Sequence, residues 1–286
     1  MKRKLIQGLS LIISNAYISG FLHGSIYKGT LKRFCVPGLN CYSCPGAIGS
    51  CPLGSLQAVL GAIKYRFSFY VVGLLLLFGL ILGRFICGFL CPFGLLQELL
   101  HKLPAPKITR PWRWPVYIKY ALLLIFVIVL PLWAVNSLGM GDPAFCKYIC
   151  PAGVLTAGLP LIAQNPPLRA ALGALFVWKL ALALFMVAGC TVIYRFFCRY
   201  LCPLGAIYGL LNPISLYQLH CNKEKCINCG VCRGVCRLGV DPARPKNLGE
   251  CIRCGECAAA CPNKALKAGF KTTGGKKGVL SDCIND

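Results

Sequence analysis

Acidic side chains are scarce in this sequence: eight Asp and Glu stand against 31 Lys and Arg across 286 residues. Glu98, Asp142, Glu224, Asp241, Glu250 and Glu256 fall into no paired arrangement of the kind that general acid–base chemistry needs, so nothing marks an active site that remakes a substrate. Histidine is scarcer still. His23, His101 and His220 make no paired set on two membrane helices, which argues against bis-histidine haem. No phosphate-cradling glycine loop occurs; Gly230 and Gly255 suit tight turns instead. Charged residues make up 14% of the chain and hydrophobic ones 57%, with a mean hydropathy of +0.65, which is too apolar for an ordinary soluble domain. No small-residue cleavage site follows the opening Met1-Lys-Arg-Lys4, so the apolar stretch behind it is expected to stay as a membrane helix. A net charge of +23 would suit nucleic acid. Positive-inside loops and an anionic membrane surface produce the same excess, and with this hydropathy a membrane, not a nucleic acid, is the expected partner.

Cysteine is what the chain has in plenty. The 21 cysteines mostly sit at metal-type spacings in a long chain, unlike the disulfide framework of a small secreted domain. Two runs stand in tandem: Cys226-x2-Cys229-x2-Cys232-x3-Cys236 and Cys251-x2-Cys254-x2-Cys257-x3-Cys261, the second followed by Pro262. Three thiolates at this spacing wrap one iron–sulfur cubane and the fourth reaches across to the other. The expected ligands are therefore Cys226, Cys229, Cys232 and Cys261 for one [4Fe-4S] cluster, and Cys251, Cys254, Cys257 and Cys236 for the second. Paired structural zinc sites share the Cys-x2-Cys pairs but have no use for the third and fourth cysteines.

A second phrase, Cys-Pro-x-Gly, occurs four times, at Cys51, Cys91, Cys150 and Cys202. In three cases another cysteine precedes by four: Cys87, Cys146 and Cys198. The stretch Arg84-Phe-Ile-Cys-Gly-Phe-Leu-Cys-Pro-Phe-Gly matches Arg195-Phe-Phe-Cys-Arg-Tyr-Leu-Cys-Pro-Leu-Gly, an internal repeat. Proline suits the first turn of a helix, and the free N–H groups there favour a thiolate or an anionic cluster. Two thiolates from each half would make a four-cysteine site, so Cys87, Cys91, Cys198 and Cys202 are expected to hold an inner membrane cluster, with Arg84 and Arg195 offsetting its charge. Cys44, Cys51, Cys146 and Cys150 are the counterpart candidates for an outer cluster, with Cys35 and Cys41 as additional ligands. Alternatively, Cys35, Cys41, Cys44 and Cys51 hold a cluster alone, or the outer cysteines form disulfides. Cys190, Cys221 and Cys283 stand outside every motif.

The expected fold is a mainly α membrane protein of about four transmembrane helices in two pseudo-symmetric halves, plus a small α+β ferredoxin domain of the bacterial two-cluster type. The spans are Leu5–Ile26, Phe67–Ile86, Tyr117–Val135 and Leu172–Tyr194, each near the length that crosses about 30 Å of hydrocarbon. Residues 1–215 form the membrane part, with a repeat over about 35–100 and 140–210; residues 216–268 form the ferredoxin-like domain and 269–286 a flexible tail. Lys and Arg number three at the N-terminus, six over 84–119 and fourteen from Arg195 onward, against five over 28–66 and two at Lys147 and Arg169. This asymmetry puts both termini, the 84–119 loop and the ferredoxin domain in the cytoplasm.

On Cys87/Cys91-Pro92, Cys198/Cys202-Pro203 and the eight ferredoxin cysteines, residues 67–265 resemble the polyferredoxin-type membrane subunits of the NapH/NosR group. The resemblance implies electron transfer between a quinol pool or cytoplasmic donor and a partner protein, by a subunit of an oxidoreductase system rather than a stand-alone enzyme. The chain departs from the group in its extra outer cysteines, in Arg237 where many ferredoxins have proline, and in having no flavin-attachment domain; no flavin is expected. Lys223, Lys225, Arg233, Arg237 and Arg253 would suit an acidic ferredoxin or flavodoxin, or an anionic lipid surface. Metallocentre maturation and redox sensing remain the alternative to an electron relay.

Overall fold

The computed structural model describes residues 2–270, except 64, 66, 67, 110, 111, 113, 137, 138 and 244. The expected tail beyond 270, with Cys283, lies outside the described residues.

Proline organises the helical part. A residue that precedes proline is pushed out of the α region, and Cys51, Cys91, Cys150 and Cys202 all adopt extended backbone, with ψ of 124°, 113°, 114° and 110°. Each proline then begins a helical stretch, so every one of these cysteines sits at a helix N-terminus. The Gly205 N–H reaches the Cys202 sulfur at 3.4 Å, as a capping side chain would receive it.

The main helices are α1 (Lys2–Ser14), α2 (Pro52–Gly61), α3 (Phe69–Ile81), α4 (Phe85–Phe89), α5 (Pro92–Leu100), α6 (Trp114–Trp133), α7 (Gly153–Gln164), α8 (Ala174–Val192), α9 (Phe196–Tyr200) and α10 (Pro203–Leu211). Of the four expected spans, α6 and α8 are helices long and apolar enough to cross a membrane. Only 22% and 17% of their most apolar windows are buried, unlike the mostly buried core helix of a soluble protein. The first expected span differs from the reading above. Its helix stops at Ser14, and a separate short turn, Ser19–His23, follows. Ser14 and Asn15 turn their side chains back onto the Leu11 carbonyl, the local competition that ends helices at such residues. Thirteen residues rise about 20 Å, short of the hydrocarbon thickness. The second span is likewise a 13-residue helix, α3.

Beyond α10, strands β1 (Tyr217–Cys221) and β2 (Leu266–Phe270) pair antiparallel, Tyr217 opposite Phe270 and Cys221 opposite Leu266. Between them lie two short helices, α11 (Val231–Val235) and α12 (Glu256–Ala259). This α+β unit is docked on the helical part largely through captured carbonyls. Arg253 donates to the carbonyls of Leu82 at 3.0 Å and Asn212 at 2.6 Å, and the fully buried Asn212 donates to the Cys251 carbonyl at 3.0 Å. The core is continuous across the junction: Leu238, Val240 and Ile252 join Ile86, Phe93, Phe197 and Tyr208.

Candidate metal centres

The α+β unit contains two cavities. One, of about 230 Å³, is lined by Cys226, Cys229, Cys232 and Cys261; the other, of about 30 Å³, by Cys236, Cys251, Cys254 and Cys257. The eight thiols are divided as the spacing expects, with the fourth cysteine of each run crossing over. The two loops also share a backbone: Asn228 and Arg253 at φ 53° and 55°, then Gly230 and Gly255 at φ 72° and 81°. Left-handed residues next to right-handed ones turn successive N–H groups the same way, the nest geometry of anion and iron–sulfur sites. Glycine takes φ near 80° without strain and Asn tolerates 53°, whereas Arg253 is held there by its bonds to Leu82, Asn212 and Ser215. Burial pushes the Cys251 and Cys257 thiols up to about 11 and about 12, and a bound metal would favour their thiolate forms. Among the described residues no three His, Cys, Asp or Glu side chains converge tightly enough for one ion. Four thiols around a void, instead of at a point, suit a polynuclear cluster in which each iron takes one thiolate.

The inner set lies directly beneath. Cys87 on α4, Cys91 before α5, Cys198 on α9 and Cys202 before α10 are all buried, and each thiol is in electrostatic range of others in the set. The arginines of the repeat cross over. Arg84 donates to the Cys198 carbonyl at 3.2 Å, and Arg195 to the Cys87 carbonyl. A Cβ at Gly205 would lie 3.2 Å from an Arg84 nitrogen and one at Gly94 3.4 Å from an Arg195 nitrogen, so the glycine of Cys-Pro-x-Gly leaves room for the opposite guanidinium. Each arginine also has a carboxylate. Arg195, in the left-handed region at φ 53°, is anchored to Glu98 at 2.6 Å, and Arg84 pairs with Glu250, which also takes Lys119. Two acidic residues without a motif thus prove to be counter-charges at this junction.

Two glutamines were not singled out by motif. Gln97 donates to the Cys198 sulfur at 3.0 Å, and Gln57 donates to the Cys146 sulfur at 3.2 Å. Both stand six residues after the cysteine of a Cys-Pro-x-Gly phrase, which is the signal that would have found them. The same offset from Cys202 gives Tyr208. It is fully buried, donates to the Pro37 carbonyl at 2.9 Å, and lies in range of Cys87, Cys91 and Cys202 on one side and Cys51 on the other.

Of the outer candidates, Cys41 is in range of Cys51, Cys146 and Cys150. Cys44 directs its sulfur to Asn15 Oδ1 at 3.7 Å, and Cys35 to the Ser55 hydroxyl at 3.4 Å. Outside the motifs, Cys190 packs on Met186 and Gln97, and Cys221 is disulfide-bonded.

The 4Fe-4S binding domain family matches residues 65–111, 119–165 and 173–216, each match holding one Cys-x3-Cys-Pro; a second family of the same description matches 245–267. An uncharacterized protein of Methanocaldococcus jannaschii is 27% identical over 201 residues, covering 67% of this chain and 74% of its own. The methylamine utilization ferredoxin-type protein MauN of Paracoccus denitrificans is 30% identical over 181 residues, 63% of this chain and 54% of its own. The regulatory protein NosR of Stutzerimonas stutzeri is 28% identical over 165 residues, 53% of this chain and 20% of its own. This chain therefore spans about half of MauN and a fifth of NosR. No solved structure matches it.

Proposed function

We propose that this chain, which belongs to the family of ferredoxin-type 4Fe-4S proteins of membrane electron transport, relays electrons between a cytoplasmic donor and a membrane or extracytoplasmic acceptor. The observation that carries the reading is a contact. Gly88, next to Cys87, packs so closely under the Ile252 carbonyl that a Cβ there would come within 2.6 Å. Ile252 follows Cys251 and lines the second ferredoxin cavity, so that cavity abuts the inner thiol set, and its Cys257 is in range of Cys232 of the first cavity. When bound, the clusters supply one-electron redox chemistry.

The residues of the chain do the rest. Cys226, Cys229, Cys232 and Cys261 hold the distal cluster, and Cys236, Cys251, Cys254 and Cys257 the proximal one. Cys87, Cys91, Cys198 and Cys202 hold the inner membrane cluster. Burial excludes water from that set, and the crossed arginines balance charge within it. The Lys and Arg distribution supports a cytoplasmic α+β unit with both termini on the same side. Basic residues around the distal cavity, Lys225 and Arg233 among them, suit an acidic ferredoxin or flavodoxin donor.

The test is flux. Proteoliposomes are reduced from outside and a trapped acceptor is followed, comparing the natural chain with Cys91→Ser. The expected result is loss of at least tenfold in rate; unchanged flux removes the inner site from the path. A second reading, redox sensing for a neighbouring enzyme, draws on the regulatory name of the NosR relative. It is favoured if clusters are present and reducible while no flux crosses the bilayer.

A further inference from the structure

Lys179 sits near the start of α8, the one formally charged residue of a membrane-length helix. Such a residue is costly in hydrocarbon and requires an anion or a dense set of acceptors. Its ammonium donates to the Cys146 carbonyl at 3.1 Å. Among the described residues it has no carboxylate within ion-pair distance. What faces it is sulfur. A Cβ at Gly153 would stand 3.4 Å from the Lys179 ammonium and 4.0 Å from the Cys41 sulfur, placing both over the helix N-terminus that follows Cys150. Across the same space a Cβ at Gly54 would lie 3.8 Å from the Cys146 sulfur and 3.9 Å from the Cys51 Cβ.

The arrangement parallels the inner set in three respects. Two Cys-Pro helices supply two thiols at their N-termini, a glutamine six residues along one helix donates to a sulfur of the other segment, and a cation lies over a glycine of the phrase. The difference is the fourth thiol. The spacing pointed to Cys44, but that sulfur is turned to Asn15 at the end of α1, while Cys41 is the one beside Gly153.

We propose that Cys41, Cys51, Cys146 and Cys150 form a second four-thiolate iron–sulfur site in the membrane part, that Lys179 is its counter-cation, and that Cys44 is not a ligand. The proposal rests on the relay reading and adds a station to it. A cluster held by four thiolates is anionic in either oxidation state, so it supplies the charge Lys179 otherwise lacks. The new site is joined to the inner one by a short length of chain: a Cβ at Gly38 would press on the Cys91 Cα at 2.7 Å, and Cys41 follows three residues later. Tyr208 fills the space beside that segment.

The experiment uses the full-length chain purified anaerobically, with iron and acid-labile sulfide content and EPR of the reduced protein. The natural chain is expected to hold about sixteen irons, four per cubane. Cys41→Ala should lose about four irons and one EPR component, while Cys44→Ala keeps all. Lys179→Gln should keep the irons and shift the midpoint of that same component downward, because a cation that favours the reduced state is gone. Loss in Cys44→Ala with retention in Cys41→Ala overturns the ligand set, and retention in both overturns the site. If Cys41→Ala does not accumulate, Lys179→Gln decides: no shift in any component overturns the proposal. Twelve irons in the natural chain, with the component lost in Cys91→Ala present, also overturns the outer site yet leaves the relay reading standing. A chain without iron would end both.

Discussion

Gln97 donates its side-chain N–H to the sulfur of Cys198 across the junction of α5 and α9, at 3.0 Å. Its oxygen accepts from the Cys198 backbone N–H at 3.2 Å, so the amide is fixed at both ends. Hydrogen bonds to cluster sulfurs raise reduction potential by stabilising the more negative state. Gln97→Leu is therefore expected to lower the midpoint of the inner cluster by tens of millivolts, on the order of one charge-assisted hydrogen bond in a one-electron couple. An EPR-monitored redox titration reads this directly. An unmoved midpoint would assign Gln97 to packing alone.

The Gly88–Ile252 contact gives a second prediction. A methyl group at residue 88 meets a backbone oxygen at 2.6 Å, which cannot rotate away. Gly88→Ala should cost about 1–3 kcal/mol of docking by overpacking and lift the 248–257 segment from the helical part. Hydrogen exchange there should rise, while iron content stays the same and flux through proteoliposomes falls.

Glu250 supplies the pH dependence. Burial pushes its carboxyl up, but Arg84 and Lys119 outweigh that and hold it below the usual range. A carboxyl lowered in the folded state stabilises above its unfolded value of about 4.3, and the contribution is lost as pH falls through the folded value. Glu98 behaves in the same sense: burial raises it, and Arg195 and Arg3 more than reverse this. Thermal unfolding in detergent should show stability falling on the acid side of about pH 4.3. Glu250→Gln should lose up to about 3 kcal/mol at neutral pH, because two cations are left unpaired, and should flatten part of the acid limb. A parallel shift of the whole curve would contradict the assignment.

The crossing of the fourth cysteines is tested by a pair of variants. Cys261→Ser should alter the EPR component of the cluster held by Cys226, Cys229 and Cys232, although Cys261 belongs to the other run. Cys236→Ser should alter its partner. Each variant affecting only its own run would refute the exchange that the two cavities describe.

The grouping of the eight ferredoxin cysteines around two cavities was legible in the sequence because spacing dictates which thiols share a loop. The gathering of Cys87, Cys91, Cys198 and Cys202 with two arginines was legible because a repeat of Arg, Cys, Pro and Gly fixes both the helix start and the cation. Cys41 and Cys44 were not distinguishable that way: both lie in one irregular loop, and the Cys44 sulfur meets Asn15 while the Cys41 sulfur lies beside Gly153, contacts with residues remote in sequence. Glu98 and Glu250 carried no motif because their role is to meet buried arginines, and that geometry exists only after folding. The expected N-terminal span is longer than its helix because hydropathy runs on past Ser14, where side-chain hydrogen bonds to the backbone end the helix.

The crossed arginines have a consequence for how such a chain can be taken apart. Arg84 serves the carbonyl of Cys198 and Arg195 that of Cys87, so each segment lends its cation to the other. Neither segment could be expressed alone with its thiols properly neutralised. A chain cut in the connector between them would have to reassociate before any metal could be loaded at that junction. The repeated phrase around Cys91 and Cys202 thus makes two mutually dependent segments, not a spare copy.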